Sequence, residues 1–355
     1  MKAQVFYEAN DMRMEEIDIP QISDNEVLVR VKAVGICGSD ISYYYGHSPV
    51  GTPTGKGPLV LGHEFSGEVV EVGKIPQFMG LFKPGDRVIV NPVQQCNSCE
   101  ACSKGLFNVC PNCRVSGVTM NGAFAEYTAS SYTHLYKLPD NVSYEDGAIT
   151  EPLACATYAV DKLDVDLGDF VVVQGPGPIG ILMVQLIKAR GAGKVVLVGK
   201  RDYPLEKGME VGADYIINIG DKNSLYYTDN LKQKIKELSG GSMAERVIVP
   251  TNSVSAMQDA LEISGNCATI VYFGLPGPDD YLKVPMLNTI QSDKTIKFSW
   301  LAPLVWPKAI KALASGKVDV KSIVTHKFHL MDTVEGIKFM KTSKENKVKG
   351  LVLID

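Results

Sequence analysis

A thiol, an imidazole and a carboxylate could form the most reactive group in this chain. His63 and Glu64 are adjacent and lie between Gly62 and Gly67, in a predicted turn that leads into the next strand. Cys37 lies upstream, between glycines that let the backbone bend sharply. One sulfur, one nitrogen and one carboxylate oxygen suit a catalytic zinc ion, which keeps its remaining position for water or substrate. The alternative interpretation is a buried cysteine and an unrelated surface His–Glu pair.

Four further cysteines give the strongest indication of a metal site. They follow a C-x2-C-x2-C-x7-C pattern in a polar loop at about residues 91–113, and they are Cys96, Cys99, Cys102 and Cys110. Four thiolates at such short intervals can surround one ion, which predicts a tetrahedral, structural zinc site without an open coordination position. An iron–sulfur cluster is the main alternative, because its ligands use similar spacings. Four thiols without a metal are the third interpretation.

A glycine-rich turn predicts a nucleotide site. Its G-x-G-x-x-G pattern consists of Gly175, Pro176, Gly177, Pro178, Ile179 and Gly180. An apolar strand at 169–174 precedes it, and a segment with helical period at 181–189 and a second strand at 194–198 follow. Within a unit of about 30 residues, this arrangement is the dinucleotide fingerprint, in which a pyrophosphate approaches the backbone at a helix N-terminus. A glycine turn without a ligand is the alternative.

The end of the second strand normally decides between NAD and NADP. A carboxylate at this position accepts a hydrogen bond from the ribose 2′-hydroxyl of NAD. Here the position holds Gly199, followed by Lys200 and Arg201. Without the acid, and with two cations nearby, a 2′-phosphate would be attracted, which favours NADP(H) over NAD(H). Asp202 leaves the choice open, because a longer turn could return its carboxylate to the ribose, and the two cations could also belong to an ordinary solvated turn.

Composition narrows the class of protein. The chain has 355 residues, 45% of them hydrophobic and 21% charged, which is enough for two globular domains. Its formal net charge of -4 provides no basic surface for nucleic acid or for an anionic membrane. No apolar run approaches the roughly 20 residues that span a bilayer, and the first ten residues lack the features of a signal peptide. We therefore expect a cytoplasmic protein, in which eight cysteines indicate metal binding or catalysis.

The elements that must position these groups differ between the two parts of the chain. Short segments of period two and turn residues at 1–35 indicate a β-rich region. From residue 169 onward, apolar strands alternate with helical segments, which favours a doubly wound parallel sheet. The predicted class is therefore α/β.

With Cys37, the pair His63–Glu64, the four-cysteine loop, Glu151-Pro152 and the glycine fingerprint in this order, the chain resembles the zinc-dependent medium-chain alcohol dehydrogenases. It is most similar to the polyol (sorbitol) dehydrogenase branch, with threonine and butanediol dehydrogenases as near relatives. The resemblance implies a GroES-like catalytic domain at 1–155 and 295–355, a Rossmann domain at 156–294, and a site in the cleft between them. Dimers or tetramers are usual in the family.

The resemblance also implies roles for individual residues. Cys37 and His63 match zinc ligands, and Glu64 matches the carboxylate ligand of the polyol branch. Glu151 matches an acid that lies near or on the metal, and Ser39 matches the hydroxyl that passes the alcohol proton toward solvent. The four cysteines of the polar loop match the structural zinc lobe. One catalytic and one structural zinc ion are therefore expected in each chain.

The expected reaction is hydride transfer between a secondary alcohol, such as a polyol, and NAD(P). Zinc would lower the pKa of the substrate hydroxyl, Ser39 would take its proton, and the hydride would move to a nicotinamide held at the glycine turn. Ser42 is a departure, because many relatives have a histidine there as the outer proton acceptor. The competing hypotheses are a non-catalytic nucleotide sensor and a nucleic-acid zinc module, and the acidic balance disfavours the latter.

Overall fold

The computed structural model describes residues 1–48 and 56–355 and divides into two compact units. The first unit comprises Met1–Pro152 and Val324–Asp355, and the second comprises Leu153–Ile323. Within the described ranges, no helix is both long enough and apolar enough to cross a membrane.

The described strands form three sheets in the first unit and one continuous sheet in the second. In chain order they are β1 (Lys2–Glu8), β2 (Asp11–Glu16), β3 (Glu26–Ile36), β4 (Leu59–Val60), β5 (Glu64–Val72), β6 (Arg87–Val90), β7 (Val93–Gln94), β8 (Arg114–Val115), β9 (Tyr127–Ser131), β10 (Leu135–Lys137), β11 (Phe170–Gln174), β12 (Lys194–Gly199), β13 (Tyr215–Asn218), β14 (Ala244–Val249), β15 (Ser264–Tyr272), β16 (Thr295–Phe298), β17 (Val324–His329) and β18 (Lys349–Leu353).

Most helices of the described chain lie in the second unit. In chain order they are α1 (Gly38–Tyr44), α2 (Lys74–Phe78), α3 (Glu100–Ser103), α4 (Tyr144–Ala148), α5 (Thr150–Leu163), α6 (Pro178–Ala189), α7 (Asp202–Glu210), α8 (Leu231–Leu238), α9 (Val254–Ile263), α10 (Met286–Gln291), α11 (Trp306–Ala314) and α12 (Thr333–Thr342). Four single turns of 3-10 helix lie at Phe107–Val109, Tyr132–His134, Lys321–Ile323 and Leu330–Asp332.

In the first unit, β3 is the central strand. It pairs antiparallel with β5, with β9 and with β18, which follows in the chain only after the whole second unit. The sheet order is β10-β6-β5-β3-β18-β17, and a three-stranded sheet of order β2-β1-β4 lies apart from it. Apolar side chains from both sheets form one core, in which Val29, Phe65 and Phe124 are almost fully buried. This is the β-rich domain that the sequence predicts.

The second unit is built on a six-stranded parallel sheet of order β13-β12-β11-β14-β15-β16. This is the strand order of the Rossmann fold, which reverses between β11 and β14. The central strand β11 reads FVVVQ, and all of its residues are buried, as expected for a strand that is covered on both faces. The predicted doubly wound domain is therefore confirmed.

The glycine fingerprint forms the turn between β11 and α6. Gly175 has a φ of +129°, which glycine adopts without strain. A Cβ on Gly180 would overlap the carbonyl oxygen of Gly175, so the close packing of helix on turn requires a glycine there. Gly177 directly precedes α6, whose first turn begins with Pro178 and Ile179, and no atom of the described residues lies within 4 Å of the place where its Cβ would be. The N-terminus of α6 is thus open to a phosphate.

Two expectations about the elements change. Glu64 already belongs to β5, so Gly67 lies inside this strand and does not end a turn. A Cβ on Gly67 would overlap the carbonyl oxygen of Arg30. Glycine is required at this position because β3 comes very close to β5 where the pairing of the two strands is irregular. The second compact unit extends to Ile323, whereas we expected the catalytic domain to resume near residue 295. The segment Thr295–Phe298 stays with the second unit because it pairs with β15.

Candidate metal and cofactor sites

Three ligand types converge where β3 and β5 run side by side. Gly35 pairs with Glu64 across the two strands, which places Cys37, just beyond the end of β3, close to His63, just before β5. The thiol sulfur, an imidazole nitrogen and a carboxylate oxygen all lie within 4.8 Å of one another. This set of one sulfur, one nitrogen and one oxygen donor fits a zinc ion with an open coordination position. The strand register therefore assembles the group that the sequence predicts.

Asp40 orients this group, and the sequence analysis missed it. The side chain is fully buried, and its two oxygens accept hydrogen bonds from the backbone N–H of Cys37 at 2.8 Å and of Gly62 at 3.2 Å. Its Oδ1 also lies 3.6 Å from Nδ1 of His63. A carboxylate beside Nδ1 favours the proton on that nitrogen and leaves Nε2 free as a ligand. The position of Asp40 in the first turn of α1 was the available signal, because an acid there can bond back to the start of the helix.

Ser39 lies next to the nitrogen that remains free. Its Oγ is 3.5 Å from Nε2 of His63, which places a hydroxyl beside the predicted ligand group. Burial lowers the pKa of His63, but the Asp40 carboxylate and the Cys37 sulfur outweigh burial and raise this pKa well above its ordinary value. A metal ion at Nε2 requires the neutral ring, so metal and proton compete for this nitrogen.

Glu64 forms a buried ion pair that the sequence analysis also missed. Its Oε2 contacts Nζ of Lys349, and the two side chains are 1% and 4% exposed. Burial alone would lower the pKa of Lys349, but the Glu64 carboxylate reverses this effect and raises it. A Cβ on Gly35 would overlap the same carboxylate, so only glycine leaves it enough space. Lys349 reaches the site because β18 pairs with β3, with Gly350 opposite Ile36.

Glu151 and two tyrosines of α1 lie outside this compact set. Glu151 stands in the first turn of α5, and it is not one of the three residues whose ligand atoms converge, so its role at the metal stays a prediction. Tyr43 and Tyr44 of α1, near Cys37 in the sequence, are 5% and 3% exposed and belong to the core of the first unit. These two tyrosines therefore pack as ordinary core residues.

The four cysteines of the polar loop converge on a second point. Their sulfurs all lie within 4.8 Å of one another, and three of the separations are 3.5 Å (Cys96–Cys110), 3.8 Å (Cys99–Cys110) and 4.0 Å (Cys96–Cys102). Four sulfurs at about 2.3 Å from one ion stand about 3.8 Å apart in a tetrahedron. The spacing therefore fits a single tetrahedral ion, whereas a cluster with several irons would hold the thiolates on different metal atoms.

The residues predicted to select the nucleotide lie at the end of β12. Gly199 is the last residue of the strand, and Lys200 and Arg201 follow as exposed residues. Within the described chain, neither cation forms an ion pair or a side-chain hydrogen bond. Asp202 begins α7 and points to Asn218, whose Nδ2 donates to Oδ1 of Asp202 at 2.6 Å. The carboxylate that left the nucleotide choice open is thus engaged with the end of β13.

The second unit also contains an apolar pocket of about 430 Å³ at the carboxyl ends of β15 and β16. Its lining includes Met257, Tyr272, Gly274, Tyr281, Phe298 and Trp300. In open α/β sheets, ligands bind beyond the carboxyl ends of the strands. Phe298 and Trp300 follow one another closely in this lining, and the pocket is large enough for an aromatic ring.

Comparison with known proteins identifies the family. The family model for the alcohol dehydrogenase GroES-like domain matches residues 23–140, and the model for zinc-binding dehydrogenases matches residues 178–315. Sorbitol dehydrogenase of Bacillus subtilis is 32% identical over 354 residues, which cover 99% of this chain and 97% of the relative. The chain belongs to the zinc-binding alcohol dehydrogenases. Sorbitol dehydrogenase of Bos taurus is 35% identical over 350 residues, covering 98% of this chain and 93% of the relative.

Solved structures of similar proteins agree with this assignment. A 2R,3R-butanediol dehydrogenase from Bacillus subtilis is 29% identical, with a TM-score of 0.88 over 100% of this chain and 99% of that one. A protein from Sinorhizobium meliloti 1021 described as a zinc-binding dehydrogenase bound to NADP is 25% identical, with a TM-score of 0.86 over 99% of both chains. A "short chain alcohol dehydrogenase" from E. coli CFT073 with NADH is 30% identical, with a TM-score of 0.89 over 99% of both chains. This alcohol dehydrogenase therefore uses zinc and a nicotinamide cofactor.

The buried ion pair of this dehydrogenase gives a stability prediction. We expect Lys349→Met to lower the free energy of unfolding of the zinc-free protein by about 3–5 kcal/mol, because the Glu64 carboxylate is left buried without its counter-charge. Glu64→Gln combined with Lys349→Met removes both charges and should recover most of that loss. Urea denaturation of chelator-treated proteins measures the effect. A double variant no more stable than Lys349→Met alone would contradict the energetic coupling of the two side chains.

Proposed function

We propose that this dehydrogenase oxidises a secondary hydroxyl of a polyol, with NADP⁺ as hydride acceptor, and reduces the corresponding ketone in reverse. The observation that carries the proposal is the convergence of Cys37, His63 and Glu64, which are distant in sequence, on one point. Three different donors in a tight group leave a coordination position for the substrate oxygen, whereas the four-thiolate group leaves none. Chemistry is therefore assigned to the first group and a structural role to the second.

Two serines near the ligand group bear on how the proton of the substrate hydroxyl is removed. When bound, zinc supplies a Lewis acid for this oxygen and the nicotinamide supplies the hydride acceptor. Ser39, beside Nε2 of His63, takes the hydroxyl proton and passes it outward. Ser42, one helical turn away, donates its hydroxyl to the carbonyl oxygen of Gly38 at 2.9 Å. This hydroxyl bonds back to its own helix, and we therefore assign the next transfer, from Ser39, to water.

The substrate class rests on similarity to relatives. The two sorbitol dehydrogenases support a sugar alcohol and ketose pair, and the butanediol dehydrogenase structure supports a short diol as the second candidate. Threonine is a third substrate to include. Initial rates with sorbitol, inositols, 2,3-butanediol and threonine distinguish these classes. A protein that binds NADPH but oxidises none of them would be a nucleotide sensor of the same fold.

We expect the protein to contain two zinc ions per chain with separable roles. Cys37→Ser should retain one zinc and lower kcat more than about hundredfold, since loss of a ligand exceeds the 10- to 100-fold effects of residues behind the ligands. Cys102→Ser should also retain one zinc, but with a lower Tm. Metal analysis, sorbitol oxidation and thermal unfolding measure these quantities. Full activity of Cys37→Ser in a folded protein, or after complete removal of zinc by a chelator, would exclude the proposed mechanism.

The cations after β12 should carry the preference for NADP(H). We expect the double substitution Lys200→Ser and Arg201→Ser to lower kcat/KM for NADP⁺ by about tenfold to hundredfold, because charge-assisted hydrogen bonds to a phosphate are lost. The value for NAD⁺ should change little. Lys222→Ser, which removes one exposed cation from a nearby loop, serves as the control. Equal losses with both cofactors would refute the assignment of these cations to the 2′-phosphate.

We also propose that the enzyme is a homo-oligomer assembled through the β16 edge of the second unit. β16 ends the six-stranded sheet, so its outer edge lacks a neighbour among the described strands. Around it, large apolar side chains are exposed, including Leu287 (72%), Ile290 (66%) and Phe298 (68%). An open edge with exposed apolar residues is a pairing surface that proteins normally cover. A second copy of this chain would pair edge to edge and bury these side chains.

Light scattering coupled to gel filtration tests this interface. We expect Ile290→Asp to shift the mass toward the monomer, because a carboxylate would be buried against apolar surface. Leu225→Asp is the matched control, since Leu225 is 97% exposed and follows β13, at the opposite edge of the sheet. A monomeric wild-type protein, or an unchanged oligomer for Ile290→Asp, would rule out this interface.

A further inference from the structure

The absence of an acidic residue at the end of β12 has a steric cause in the glycine turn. A Cβ on Gly199 would overlap Cγ of Pro176 and lie 2.7 Å from its Cδ and 3.3 Å from Cδ2 of Leu205. The backbone is not the obstacle, because Gly199 is not among the residues with positive φ. The proline ring therefore occupies the space that any side chain at position 199 would need.

We propose that Pro176 is a specificity-determining residue for the cofactor, an inference that rests on the proposed preference for NADP(H). Pro176 lies between the first two glycines of the fingerprint, and β11 and β12 are adjacent parallel strands. The two strand ends therefore meet, and the turn after β11 controls what β12 can present. With the ring in place, no carboxylate can stand at position 199 to accept the ribose 2′-hydroxyl of NAD.

A second arrangement keeps the nearest following carboxylate away from the same place. Oδ1 of Asp202 accepts hydrogen bonds from Nδ2 of Asn218 and from Oγ of Ser224, both at 2.6 Å. Asn218 is itself fully buried and held in place, because its Oδ1 accepts from the backbone N–H of Gly220 at 2.8 Å and of Asp221 at 2.9 Å. Asp202 is thus bound to the loop after β13.

The two arrangements have one electrostatic result. Position 199 has no side chain and Oδ1 of Asp202 is occupied, while Lys200 and Arg201 are exposed and form no salt bridge among the described residues, with the charge of Asp259 acting on Lys200. Placing an aspartate at position 199 should therefore fail as a single substitution, because the carboxylate can be accommodated only after the proline ring is removed. This coupling between positions 176 and 199 distinguishes the proposal from a simple missing acid.

The experiment compares the wild-type protein with Pro176→Ala, Gly199→Asp and the double variant. Thermal unfolding reports the steric conflict, and calorimetric titration with adenosine 2′,5′-bisphosphate and with 5′-AMP reports nucleotide preference without turnover. We expect Gly199→Asp to lower Tm by several degrees, because overpacking is destabilising, and the double variant to regain most of this loss. Pro176→Ala alone should still prefer the bisphosphate, because both cations remain.

The double variant should shift the affinity ratio toward 5′-AMP by about tenfold or more, since a carboxylate accepts from the 2′-hydroxyl and repels the 2′-phosphate. A Gly199→Asp protein as stable as the wild type, or additive Tm effects in the double variant, would overturn the role of Pro176. A stable double variant with an unchanged affinity ratio would overturn it as well. If the wild type prefers 5′-AMP, the proposed NADP(H) preference is wrong, and the Tm coupling alone then decides whether Pro176 excludes side chains at position 199.

Discussion

The register of β3 between β5 and β18 is the constraint on which the candidate catalytic centre depends. It sets Gly35 opposite Glu64 and Ile36 opposite Gly350, so that the thiol, the imidazole, the carboxylate and the lysine ammonium meet at one end of the sheet. A shift of one residue in a strand turns every side chain to the other face. The buried apolar side chains of β3, including Val29, Val31 and Val34, make such a shift costly.

The groups that surround the candidate ligands compensate one another's buried charges. Glu64, Asp40 and Lys349 are all nearly inaccessible to water, and isolated charges in such places are strongly unfavourable. Asp40 receives two backbone N–H groups and faces His63, while Glu64 faces Lys349. A divalent cation bound by one thiolate and one carboxylate would leave little net charge in the cluster. The charges around the ligands therefore balance both when a divalent cation is bound and when the Glu64–Lys349 ion pair stands without one.

Sequence patterns predicted the parts of the molecule that depend on local spacing. The four-cysteine loop, the strand–turn–helix unit at Gly175 and the parallel sheet follow from short-range periodicity and glycine placement, and the structure has all three. Lys349 could not be predicted in this way, because its contact with Glu64 arises from the pairing of strands at opposite ends of the chain. The blocking role of Pro176 was likewise hidden, since it depends on the distance between two neighbouring strand ends.

The insertion of the second unit between β10 and β17 bears on how the protein matures. A ribosome makes Glu64 long before Lys349, so a growing chain holds the carboxylate without its partner while the second unit is being completed. The second unit is continuous in the chain, and domains generally fold as units during synthesis. The nucleotide-binding fold can therefore form first, whereas Lys349 can join Glu64 only after β18 has emerged. An ion bound at Cys37, His63 and Glu64 would thus have its complete protein surroundings only once the last strand is in place.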